Sequence, residues 1–571
     1  MTPRPTLDRR REALQTLGLA LLSVAYVAVS VACLNTQYMI NDDVGIIADA
    51  RGGYAVRYVG IVLTSFLHWG YMISPGTPWL GLALYALHTV ALFAWLKLLW
   101  RLFTPWWLAA LFTPVFLGYC LVFLVYLDYT AASVMLALAG IAWASIRVVE
   151  RQAEYRRFLL PGVLFMLGMI VRPQGAPGAL AYGLPLALIA AVAALRGRPW
   201  KDGVRRLALA TAVFFLPAAM NYAVDGLWRQ AVLTPQEAQY DAFNAVRGRL
   251  HRINRARKQR IIANPALLAS VHWTREDADD FFNWKFLDER VYTPEALQTL
   301  LDAAPPPRIE PAALADLVIR RLPPRNLIFP LLAASLPLFL LLTGQKRRAE
   351  GGIGLLIPVF SICLTAFMYF LFAFTYRVEL PFETGLGLGA LLVSGALALP
   401  DEAPRGRRLL AAIGAAAAIA FFGMLFSAGR MLGHQTEMGL ETRHIEERVQ
   451  MLNTAYADDV LLVEPSSLDL EALSPLDPME LRFETIDLGW NTFSPRFYHA
   501  LGSLGLQHGY ELMDGLVGRP NAFIFGTQGW CEEMLRYAKG HPNNSIGIMS
   551  VQPVSSSLGV YRLQAVERKK P

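Results

Sequence analysis

Apolar blocks long enough to cross or nearly cross a membrane recur along the chain, at residues 14–34, 79–96, 106–126, 131–149, 158–171, 179–195, 207–224, 327–342, 353–375, 386–399 and 409–428. A hydrocarbon core of ~30 Å takes about 20 helical residues, so the pattern predicts about 11 transmembrane helices. The stretch 58–73 is also apolar but is interrupted by Thr64, Ser65, His68 and Trp69. It predicts a helix lying in the interface, with Trp69 and Tyr71 at the headgroups.

The intervening polar segments differ in length and sign. With the N-terminus in the cytoplasm, the loops that return inside carry Lys97 and Arg101, then Arg147, Arg151, Arg156 and Arg157, then the clusters at 196–206, 346–348 and 405–408. That alternation is the positive-inside pattern, and counting 58–73 as a further span would reverse it. The first outer loop is then 35–78, and a helical insertion at 225–325 also lies outside. The insertion holds a basic run, Arg247 to Arg260 in sequence, expected as a solvated face near lipid headgroups. Beyond Gly429 the hydropathy falls. Residues 460–463, 546–549 and 560–563 have strand character, and 495–504 and 531–538 have helical character. The expected organisation is a transmembrane domain at 1–429 and a small α/β extracytoplasmic domain at 430–571. This is an α-helical polytopic membrane protein with its polar mass on the outer side.

Composition narrows the class. The 571 residues are 54% hydrophobic and 17% charged, and the formal charge of +7 sits in loops between apolar blocks. Orientation in the bilayer accounts for this excess, so no nucleic-acid partner is expected. Cys33, Cys120, Cys363 and Cys531 form no disulfide or metal pattern. Arg9, Arg10 and Arg11 precede the first apolar block, but that block is long for a signal core and is expected to remain as a span. The phosphate-binding loop of ATPases, the zinc-hydrolase H-E-x-x-H and paired C-x-x-C are absent from the sequence.

Candidate chemistry lies at the outer ends of the spans. Asn41-Asp42-Asp43 follows the first span on the outer side. One of these acids suits a helix cap, and two adjacent ones allow a base plus a group that orients it. Asp128 reads as a cap at the tip between two spans, and His68 as a packing residue beside the same region. Block 158–171 spans only about 21 Å at ~1.5 Å per residue, which draws Arg172 below the outer interface. Extending 386–399 upward draws in Glu379 and Glu383, four residues apart on one helix face. Charges at such depth usually face a wet cavity and a partner. Arg172 either locks to Glu379 or Glu383, or grips phosphate together with Arg377, with Gln174 adding donors.

The acidic pair in the first outer loop, the interfacial stretch after it, the outer turns with Asp128 and Arg172, the Tyr376-Arg377-x-x-x-Pro381 turn and the polar C-terminal region resemble the GT-C superfamily of polytopic glycosyltransferases. Stretches 273–284 and 491–497 look like those of an uncharacterised bacterial branch. The resemblance implies a bacterial inner-membrane enzyme with its active site facing the periplasm. It implies a polyprenyl-phosphate sugar donor, an envelope glycan, lipid or protein acceptor, and inverting direct displacement. Asp42 or Asp43 is then the base, and Arg172 with Arg377 holds the donor phosphate. A divalent metal is compatible with this chemistry but not required by it. A lipid-linked sugar or ion transporter, a polysaccharide polymerase or ligase, and a scaffold with a binding C-terminal domain are the competing expectations.

Overall fold

The computed structural model describes residues 9–39, 41–56, 59–102, 106–150, 154–195, 199–253, 255–304, 407–464, 467–540, 549–555 and 559–565. The described chain is mostly helical. Among the described residues five helices are long and apolar enough to cross a membrane, the composition expected of a helical membrane protein.

In chain order the apolar region comprises α1 (Arg9–Cys33), α2 (Asn41–Gly52), α3 (Ile61–Ile73), α4 (Trp79–Leu102), α5 (Trp106–Val125), α6 (Tyr129–Val149), α7 (Leu159–Val171), α8 (Gly175–Leu195) and α9 (Trp200–Val232). Helix α6 is buried along almost its whole length, with α4, α7 and α8 packed around it. Close approach depends on small residues. A Cβ on Gly168 would lie 2.6 Å from the Ser133 carbonyl, and the Ser133 hydroxyl donates to the Gly168 carbonyl at 2.8 Å. Small residues and short polar contacts of this kind hold helices together where lipid removes the hydrophobic driving force.

The outer helices show the complementary pattern. Helix α1 exposes Leu14, Leu17, Leu21 and Val29, and α9 exposes Leu216, Met220 and Leu227. Apolar faces of this size need lipid or protein against them. Helix α3 exposes Val62, Phe66, Trp69 and Ile73, one stripe at helical spacing, and buries Leu63, Leu67 and Tyr71 on the other side. Thirteen residues are too short to span a bilayer, and an exposed apolar stripe suits a helix lying along its surface.

Two sheets occur among the described residues. The smaller pairs β1 (Gln37–Tyr38) in parallel with β2 (Tyr126–Leu127). The larger contains β3 (Val460–Val463), β4 (Glu484–Asp487), β5 (Ala522–Phe525), β6 (Met549–Ser555) and β7 (Val560–Ala565), in the order β4-β3-β5-β7-β6. Strands β4, β3 and β5 are parallel, and β7 and β6 are antiparallel additions. Strand β3 is buried along its whole length, as expected for a continuous Val-Leu-Leu-Val run inside a sheet.

Several expectations change. The helix Arg407–Ala455 runs unbroken through the boundary placed after Gly429, so the polar region begins within a continuing helix. The insertion and the C-terminal sheet share one core, in which Phe281, Phe286 and Leu297 meet Leu462, Ile486 and Ile524. The insertion helices are set by local caps. Thr234 and Glu237 form a capping box at Pro235–His251, and Thr274 and Asp277 form another at Arg275–Phe282. The basic run is not a solvated face throughout. Arg247 is fully buried, donating to the Gly489 carbonyl at 2.7 Å and the Trp490 carbonyl at 2.8 Å, and Arg257 is buried against the Ala304 carbonyl. Charge alone does not reveal burial when backbone carbonyls supply the partners. The blocks 327–342, 353–375 and 386–399 lie outside the described residues.

Candidate functional site

The short β1–β2 pairing builds the site. Gln37 faces Tyr126, Tyr38 faces Leu127, and the Met39 amide donates to the Leu127 carbonyl at 2.9 Å. Strand β1 leads into α2, whose first turn contains Asp42 and Asp43, and β2 leads into Asp128, the N-cap of α6. Acids are favoured at both places because the first turn of a helix carries partial positive charge and unpaired amides. Asp128 accepts from the Thr130 amide at 2.9 Å. Successive helix residues point about 100° apart. Asp43 is therefore fully buried, while the half-buried Asp42 lines a cavity.

Arg172 joins these acids from the end of α7. It caps that helix with extended backbone, its guanidinium 4.9 Å from the centre of the Tyr129 ring and donating to the Thr130 hydroxyl. Tyr129, Asp128, Asp42 and Asp43 lie around it and offset the cost of burying its charge. Asp42, Asp43, Asp128 and Arg172 thus form one cluster. Gln174 lies exposed in the turn between α7 and α8 and does not line the cavity. His68 does not line it either, and its Nδ1 is 2.9 Å from the Ala50 carbonyl near the end of α2. Arg377, Glu379 and Glu383, with the expected pairing of Arg172 to either glutamate, lie outside the described residues.

The cavity measures about 410 Å³, within the ~300–1,000 Å³ typical of small-molecule sites. Asp42, Gly45 and Asp49 form one stripe of α2 along it. Facing them are Glu464 and Asp487 at the carboxyl ends of β3 and β4, beside Trp284 and Trp490. Strands β4 and β5 flank β3 on opposite sides, so the chain reverses direction across the sheet here. Crevices at the carboxyl ends of parallel strands around such a reversal are common ligand sites.

Two arginines fasten α2 to this edge. Arg496 contacts Asp487 at 2.8 Å and Asp49 at 3.6 Å. Its burial disfavours the charge, yet Asp487, Asp49, Tyr240 and Tyr54 keep its pKa above the usual value. Arg51 donates to the Met479 carbonyl at 2.7 Å, to Pro478 and, at 3.2 Å, to Pro75. Burial raises the Glu471 carboxyl above its usual range; its own backbone N–H opposes this, and Asp469, Glu441 and Asp42 add to it. Trp284 and Met479, both on the cavity wall, have φ of 63° and 50°. Non-glycine residues in that region cost energy and tend to gather at functional sites.

Asp49, Asp487, Arg496 and the two tryptophans were not singled out by sequence. Arg496 falls in the stretch 491–497 and Trp284 in 273–284, so proximity to those stretches was the available signal. Among the described residues no group of three His, Cys, Asp or Glu side chains is arranged to hold a metal ion. Comparison with known proteins finds no matching family model, no matching curated protein and no matching solved structure.

Proposed function

We propose that the chain is a multi-pass membrane glycosyltransferase that moves a sugar from a polyprenyl-phosphate donor to an acceptor hydroxyl on the extracytoplasmic side. The observation that carries this reading is Asp42: it belongs to the same cluster as Asp43, Asp128 and Arg172 and also faces a cavity of about 410 Å³. A base needs both an oriented carboxylate and room for the group it deprotonates.

In this reading the Asp42 carboxylate takes the acceptor O–H proton as that oxygen bonds to the anomeric carbon. The bond from that carbon to the lipid phosphate breaks, and its electron pair leaves on phosphate. Arg172 is the cation of the cluster nearest this event, and Arg377, by the family resemblance, adds a second positive charge for the phosphate. Gln174, exposed beside Arg172, supplies further donors to the phosphate. Asp43 is buried outside the cavity and its charge favours that of Arg172, and Asp128 caps the start of α6 beside it. Phosphate is a good leaving group, so the reaction needs no strong general acid.

The same reading gives about 11 spans, a cytoplasmic N-terminus and a sheet outside the bacterial inner membrane. The exposed stripe on α3 supports it by giving the first loop a place to rest on the bilayer surface. Incubating the purified chain with radiolabelled polyprenyl-phosphate sugars tests it. Transfer of label to an envelope acceptor is expected, and donors that stay intact with every acceptor fraction count against it.

A further inference from the structure

The charge and shape of the cavity say what kind of acceptor it takes. Five carboxylates line it, from Asp42, Asp49, Glu464, Glu471 and Asp487, against the guanidiniums of Arg51 and Arg496. Neither arginine is placed to receive an anion. Arg51 is engaged by the carbonyls of Met479, Pro478 and Pro75, and Arg496 by Asp487 and Asp49. A phosphate or carboxylate entering here would meet like charges, which disfavours its binding.

Two tryptophans stand in a wall that is otherwise largely aliphatic. Trp284 and Trp490 have ring centres 4.9 Å apart. Behind them His251 stacks on Trp284 at 3.7 Å, and Arg247 holds the Gly489 and Trp490 carbonyls with its guanidinium 4.9 Å from the Trp490 ring. Aromatic faces carry negative potential and take the C–H face of a pyranose or an ammonium group. Carboxylates beside such rings accept hydrogen bonds from hydroxyls or ammonium donors.

We propose that this cavity is an acceptor subsite for a saccharide that is uncharged or amine-bearing and carries no phosphate or carboxylate. The assignment rests on the glycosyltransferase reading for the word acceptor, while saccharide binding itself does not depend on it. The charge of the cavity also separates it from the donor's phosphate, which in that reading meets Arg172 at the other side of Asp42.

Gly45 offers a clean way to close the cavity. A Cβ built there meets nothing within 4 Å, and the residue lies on the cavity stripe of α2. Leu at that position fills space that a ligand would use, and Leu at the exposed helical Gly502, where a Cβ also meets nothing within 4 Å, is the control. The full chain in detergent is titrated with glucosaminyl-glucosamine, cellobiose and digalacturonate while tryptophan fluorescence is followed. The amine disaccharide and cellobiose should bind, with digalacturonate at least about tenfold weaker. Added salt should weaken the amine ligand and leave cellobiose unchanged. Gly45→Leu should abolish both signals and Gly502→Leu should preserve them. Digalacturonate binding as tightly as the others, no binding of any of the three, or unaltered binding in Gly45→Leu overturns the proposal. Binding without any sugar transfer sinks the glycosyltransferase reading and leaves the subsite standing. Transfer onto phosphorylated acceptors alone does the reverse.

Discussion

Replacing Arg496 with Met removes a guanidinium that ties α2 to the carboxyl edge of the sheet. Its side chain is 15% exposed, and its partners Asp487 and Asp49 are 32% and 21% exposed. Losing one partner of a fully buried pair costs about 3–5 kcal/mol, whereas a surface pair is worth ~0–1 kcal/mol. These exposures fall between the two limits, so about 2–3 kcal/mol is expected. The loss should be local, because Asp487 remains hydrogen-bonded into the sheet in β4 while Arg496 is one of the two arginines that fasten α2. At ~1.4 kcal/mol per tenfold, amide-exchange protection across α2 should fall by roughly 30- to 150-fold, with β3 and β5 unaffected. Asp49→Asn should weaken the same protection, and the double variant should lose less than the two single losses together. Unchanged protection of α2 in Arg496→Met, or simple additivity with Asp49→Asn, refutes the idea that this arginine joins the first loop to the sheet.

Other consequences follow from the same geometry. Glu471 has a folded pKa raised above its ordinary 4.5, so ionising it destabilises the fold as pH rises through the folded value. Glu471→Gln should therefore melt higher than the parent at pH 7 and equally below pH ~4, where the parent carboxyl is neutral in both states. Arg172→Ala should weaken donor binding and slow turnover, with Lys restoring only part of both because it lacks the planar fork. A Cβ on Gly60 would lie 2.7 Å from the Ile170 carbonyl, which accepts from the Gly60 amide at 2.9 Å. Gly60→Ala should cost about 1–3 kcal/mol and loosen the first loop next to Arg172, seen as faster limited proteolysis there. Reporter fusions after Arg157 and after Ala455 should report opposite sides of the membrane.

Much of the helical pattern was written in the apolar blocks, which mark α1, α4, α5, α6, α7, α8 and α9 directly. The expected depth of Arg172 rests on the short apolar block that ends beside it, which the structure forms as α7. A convergence of Asp42 with Asp128 could be expected from their shared place at the outer ends of the spans, but the way it is reached was not legible. It depends on β1 and β2, strands of two residues each, which carry no alternation to detect and pair across a long sequence separation. Strand β4 reads Glu-Thr-Ile-Asp and hides because its polar positions face the cavity and its partners rather than a plain core. Arg247 read as a surface charge because, apart from the nearby Asn244 side chain, its hydrogen-bond partners are backbone carbonyls distant in sequence, which leave no trace in residue type. Asp49 and Arg496 each look like ordinary surface residues, and become a pair only when the first loop folds onto the sheet.

The central claim is that Asp42 deprotonates the acceptor. The direct measurement is single-turnover transfer of labelled sugar by Asp42→Asn and Asp43→Asn, both checked for unchanged membrane insertion and donor binding. Asp42→Asn keeps the shape but removes the proton acceptor, so the chemical step should slow by about 10²- to 10⁴-fold with donor affinity nearly unchanged. Asp43→Asn, buried on the Arg172 side, should disturb donor binding more than the pH dependence of the chemical step. Transfer by Asp42→Asn at the parent rate would contradict the account.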